Sequence, residues 1–85
     1  MPEISRFYGI IVRMFFRDHD PPHFHIEYQE YEAIIEIRSR LVKGEMPERA
    51  LKMVFDWLDI HENELIENWK LARRHKPLNK IAPLY

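Results

Sequence analysis

The chain has 85 residues, 46% of them hydrophobic and 32% charged, with two glycines and a formal net charge of −1 at pH 7. That is enough core-forming chain for one domain and excludes a disordered tail; the charge balance excludes a chain-wide electrostatic grip on nucleic acid, though not a local basic patch. Cysteine is absent, which excludes disulfides, thiolate zinc sites and a cysteine nucleophile, and no apolar run is long enough to span a bilayer, so no membrane association is expected and the cytoplasm is the expected location.

The first half reads in period two. Tyr8, Ile10, Val12, Met14 and Phe16 alternate with positions that include Gly9, Arg13 and Arg17, the pattern of a half-buried strand with one arginine-bearing face. Ile11 and Phe15 make that second face mixed. In the next run Phe24, Ile26 and Tyr28 fall on one side and His23, His25 and Glu27 on the other. A third run sets Tyr31, Ala33, Ile35 and Ile37 against Glu32, Ile34, Glu36 and Arg38. The expectation is a three-stranded antiparallel meander within residues 4–38.

The stretch "DHDPP" links the first two strands, its prolines fixing φ and removing two backbone donors. Between the second and third strands, "QE" offers no Gly or Asn for the positive φ of a two-residue primed turn. A direct turn there would also set Glu27 opposite Glu32. A four-residue or irregular loop is therefore expected.

After Lys43-Gly44 the period changes. Pro47 suits the first position of a helix, and Leu51, Leu58, Leu65 and Ala72, seven apart and joined by Val54, Phe55 and Trp69, form one apolar stripe. The helical region is expected over residues 47–75, as one long helix or two. A bend near Ile60 is favoured, with Asp59 as cap and Glu62 three residues on, because a straight helix of roughly 28 residues would be about 42 Å long and overrun a small sheet. Lys70, Arg73, Arg74 and Lys76 gather at its end, as the macrodipole favours. The basic cluster from Lys70 to Lys80 is also a candidate for phosphate contact. Trp57 and Trp69 read as core or core-edge, and His61 and His75 as helix-surface or helix-end residues. An extended tail over 77–85 ends in apolar Leu84 and Tyr85, which suit either a partner or the domain's own groove. Sheet and helix each need a cover for their apolar side, so the fold class is α+β, one domain over residues 1–85 in two layers.

Three of the five histidines stand in "DHDPPHFHIEY", residues 18–28. His23 and His25 are two apart on a strand, so both rings point to the face opposite the helices, shared with Glu27, Glu36, Arg13, Arg17 and Arg38. Three readings of this face stand side by side. The imidazoles are solvent-facing and inert, or they join His19 as nitrogen ligands of a metal ion with Glu27 or Glu36 completing the set, or they work as acid and base. In the last case His23 and His25 are the catalytic pair and Arg13 holds a phosphate, a set sufficient to cleave RNA. Asp18, His19, Arg17 and Glu27 complete the candidate binding residues. Asp18 and Asp20 also have a plain use as turn caps.

Three stretches carry a family resemblance: "MPEISRFYGIIVRMFFRDHDPPHFHIEY", "GEMPERALKMVFDWLDIHENELIENWKLA" and "KPLNKIAPL". They resemble the bacterial family catalogued as domain of unknown function 4160, over nearly the whole chain. The specific elements are D-H-x-P-P-H-F-H and the series Trp57, His61, Glu64, Leu65, Trp69. The resemblance implies one half of a two-gene module, the toxin of a type II toxin–antitoxin pair held by a small antitoxin-like protein; RNA as its target follows from the histidine–arginine face alone, and homo-oligomerisation is open. It transfers no catalytic assignment; His19, His23 and His25 carry over as motif positions. The "QE" turn, where glycine is expected in relatives, departs from the pattern. The contrasting expectation is a non-enzymatic binding module, either metal-binding or contacting nucleic acid.

Overall fold

The first long alternating run is split by a turn. In the computed structural model, which describes residues 2–16 and 18–85, Tyr8 and Gly9 take φ of 51° and 82°, the positive values that let a two-residue loop follow the twist of its strands. The loop joins β1 (Glu3–Phe7) to β2 (Ile10–Arg13), with Phe7 opposite Ile10. Tyr8, expected on the core face, is instead 60% exposed at the tip. Alternation hid this turn because Tyr8, although it stands at the tip, is apolar and falls on the same even-numbered series as Ile10, Val12 and Met14.

β3 (His23–Tyr28) and β4 (Tyr31–Glu36) form the next hairpin. The "QE" loop is a direct two-residue turn, not the longer loop expected: Tyr28 pairs with Tyr31, Glu27 does face Glu32, and Gln29 takes φ 54°. Register won over local preference here. Six consecutive pairs between β3 and β4 align Phe24 with Ile35 and Ile26 with Ala33, and burying those side chains outweighs a turn residue's strain of about 1–3 kcal/mol. β4 ends at Glu36, so Arg38 lies in a turn rather than on the sheet.

A fifth strand, β5 (Val42–Gly44), pairs with β4. The sheet is therefore a five-stranded antiparallel meander in the order β1-β2-β3-β4-β5, not three-stranded. Three residues with two exposed carry no readable alternation, which is why β5 escaped the sequence. Gly44 (φ 115°) is required there, since a Cβ would lie 2.6 Å from the Glu32 carbonyl oxygen.

The single helix, α1, spans Glu48–Arg73 and kinks at His61, whose φ of −114° and ψ of 19° leave the helical region. Pro47 precedes the helix as its N-cap instead of opening it. The kink is not held by the expected local cap. Asp59 and Glu62 both face Arg40, at 3.1 Å and 2.8 Å, so a guanidinium from the β4–β5 turn clasps the bend. Ala50, Val54, Trp57, Leu58, Leu65, Trp69 and Ala72 meet Val12, Phe24, Ile26 and Ile35 in one core, on one face of the sheet. The tail folds back over this core: the Ile81 N–H donates to the Ile4 carbonyl at 2.8 Å, and the buried Trp57 Nε1 donates to the Ala82 carbonyl at 2.8 Å. Among the described residues, no helix is long and apolar enough to cross a membrane.

Candidate functional site

The site begins with strand parity. Because Phe24 and Ile26 are buried in the core, His23 and His25 must leave the sheet on its other side. His25 lies directly opposite Arg13 on β2 and Ile34 on β4, and His23 opposite Glu36. The two rings are neighbours, with centroids 5.4 Å apart.

Asp18 brings them to one point. Its Oδ2 lies 3.0 Å from His25 Nε2 and 3.1 Å from His23 Nε2. A single carboxylate oxygen thus faces two imidazole nitrogens. The other nitrogen of His23, Nδ1, lies 2.9 Å from the Pro21 carbonyl. A carbonyl only accepts, so Nδ1 carries the hydrogen. Nε2 then presents either a second hydrogen or a lone pair toward Asp18.

The surroundings are drier than an open sheet face. The side chains of His23, His25 and Asp18 are only 14%, 25% and 26% exposed. Phe15 packs edge-on against His25 (4.3 Å between centroids), and Trp69 of α1 lies 5.1 Å from His23. His23 is therefore not clear of the helix, as sequence parity implied; it sits at the end of the sheet where α1 comes close. The Trp69 Nε1 donates to Asp20 Oδ1 at 3.2 Å, and Arg73 lies 3.0 Å from Asp20 Oδ2, so the loop carrying Asp18 is pinned to α1 two residues further on. The hydrogen bond from Arg73 holds the Asp20 carboxyl below its ordinary range against a smaller opposing effect of desolvation, with the Trp69 indole acting in the same direction as Arg73.

Of the other candidates, Arg13 lies next to His25 and faces Glu27 at 3.4 Å, and its Nε has no hydrogen-bond partner. Glu27 lines a groove of about 330 Å³ that starts at Phe15 and His25 and runs past Glu32, Ile34 and Lys43. His19 is exposed and stands outside the cluster that joins Asp18, His23 and His25. Arg17 lies outside the described residues. Phe15 and Trp69 are neighbours of the site that sequence reasoning did not name. Phe15 had a signal: it is an apolar residue on the polar parity of its run. Trp69 had none, because its approach to the site depends on the path of α1.

A family model described as "Domain of unknown function (DUF4160)" matches residues 9–70. The match takes in every residue of the site and most of both layers, and the chain belongs to that family. No curated protein and no solved structure is significantly similar to it.

Proposed function

We propose that this DUF4160 protein is the toxin-like effector of a type II toxin–antitoxin pair, restrained by a small antitoxin-like partner in the cytoplasm, and that it acts on RNA through the face bearing Asp18, His23, His25 and Arg13. The observation that carries the reading is the shared carboxylate: Asp18 fixes two half-buried imidazoles 3.0 and 3.1 Å from one oxygen, an order that two solvent-facing histidines do not need. Arg13, directly across from His25, is the group for a phosphodiester, since a guanidinium aimed at developing negative charge contributes most in the transition state. The histidine centre takes the proton of the attacking hydroxyl and returns one to the oxygen that leaves as its phosphorus–oxygen bond breaks. The groove beside His25 gives an extended strand room to lie along β3 and β4.

One observation favours a second reading, a non-enzymatic binding module. Glu27 and Glu32 line the same groove and Glu36 faces His23, and carboxylates repel a polyanion.

Induced expression with and without the neighbouring reading frame separates the two. An effector arrests growth, with loss of intact RNA, and the partner relieves the arrest. A folded His23→Ala, His25→Ala double variant loses toxicity but still co-purifies with the partner, and Arg13→Ala lowers activity by about 10²–10⁴. Full toxicity in the double variant overturns catalysis at this site. Absence of arrest together with stable partner binding favours the binding module.

A further inference from the structure

The geometry points to a divalent transition-metal site made by His23 Nε2, His25 Nε2 and Asp18 Oδ2. The ligand atoms of these three residues all lie within 4.8 Å of one another, the one such group among the described residues. Ligands held about 2.1 Å from a common ion stand about 3.0 Å apart at the corners of an octahedron and about 3.4 Å apart in a tetrahedron. The observed 3.0 and 3.1 Å from Asp18 to the two nitrogens match two edges of such a polyhedron, and the third, between the nitrogens, lies within 4.8 Å.

Three further features fit a cation better than a plain hydrogen-bonded cluster. First, the Nδ1 hydrogen of His23 is committed to the Pro21 carbonyl at 2.9 Å, the outer contact that fixes the tautomer of a ligating histidine and turns its Nε2 lone pair inward. In the neutral ring that lone pair faces a carboxylate oxygen, and two acceptors 3.1 Å apart are stabilised by a positive charge between them. Second, both histidines stand on β3, an inner strand paired on either side, so the nitrogens are held by the sheet rather than by a loop. Third, Phe15 and Trp69 shield the centre from water.

Two imidazoles and one carboxylate are a borderline donor set that suits Zn²⁺, Fe²⁺ or Co²⁺ rather than Ca²⁺ or Mg²⁺, and three protein ligands leave positions open for water or a substrate oxygen. Binding of the ion stands on the geometry alone; its part in the activity rests on the effector reading above.

The test uses the full chain, treated with chelator, dialysed and titrated with Zn²⁺ by calorimetry and with Co²⁺ by visible absorption. One ion per chain is expected, with a cobalt d–d band, a raised thermal midpoint and no comparable response to Mg²⁺. The near-isosteric Asp18→Asn and the truncation His25→Ala should each weaken Zn²⁺ binding by at least about 100-fold, the upper end of what losing an outer hydrogen-bond partner costs. His19→Ala should bind as the native chain does. Circular dichroism in chelator establishes that each variant is folded. Failure of the native chain to bind, or binding unchanged in Asp18→Asn and His25→Ala, overturns the site. Histidine-dependent toxicity without metal binding leaves the effector reading and removes this inference; metal binding without toxicity does the reverse.

Discussion

Asn68, fully buried in α1, holds the backbone of Asn79 at both ends: its Nδ2 donates to the Asn79 carbonyl and its Oδ1 accepts the Asn79 N–H, each at 2.9 Å. This pair closes the tail over the helix, beside Ile81, whose amide bonds to β1. An amide is the only neutral side chain that can serve a donor and an acceptor side by side. Asn68→Ala should destabilise by about 1–3 kcal/mol, because the helix loses both bonds and the tail's polar backbone is left without partners. Thermal melts give the size of the effect, and faster hydrogen exchange at Asn79 and Ile81 locates it in the tail.

Leu58 and Leu65 are completely buried on either side of the kink. Leu58→Ala and Leu65→Ala should each cost about 2–5 kcal/mol, the loss of transfer energy plus the cavity left behind. Leu51, only partly buried against the core, should cost markedly less when truncated. Equal losses at Leu51 and Leu58 in chemical denaturation would mean that the first turns of α1 are covered in solution.

Gly44→Ala should release β5. The added Cβ meets the Glu32 carbonyl oxygen at 2.6 Å and the Ala33 Cα at 2.9 Å, with φ held at 115°. The crowding alone costs about 1–3 kcal/mol. Exchange protection should fall at the β4–β5 pairs while the β1–β2 hairpin keeps its own.

Asp20 ties the histidine loop to α1, and its lowered pKa gives the pH dependence a sign. A carboxyl depressed in the folded state binds fewer protons than in the unfolded chain, so its contribution is present above the unfolded value of about 3.9 and is lost as pH falls through the folded one. Asp20→Asn should therefore lower the thermal midpoint at pH 7 and flatten the loss of stability below about pH 4. Unchanged acid sensitivity in Asp20→Asn would place that sensitivity elsewhere.

Glu27 and Glu32 stand opposite each other on the groove face. Glu32→Lys replaces a repulsive cross-strand pair with an attractive one and should stabilise by about 0.2–1 kcal/mol. On the RNA reading the same change strengthens RNA binding, measured by salt-dependent titration with a short oligonucleotide; weaker binding would argue that Glu32 is a working group of the groove.

Parity and periodicity are local, and they settled the local questions. The alternation around Phe24 and Ile26 turned His23 and His25 to one side of the sheet, and the spacing of Leu58, Leu65 and Ala72 gave the helix its buried stripe, because a side chain's direction follows from φ and ψ at its own residue. The Tyr8–Gly9 turn stayed silent because an apolar Tyr8 at its tip continued the even-numbered series of Ile10, Val12 and Met14, and β5 was too short to show any alternation. What Asp18 does depended on the path of the loop between β2 and β3, and Trp69 reaches Asp20 across 49 residues of sequence. Arg40, not a local cap, clasps the kink at His61. Each of these contacts joins elements whose separation in space is set by packing, and only the folded sheet and helix, closing on one core, decided which side chains would meet.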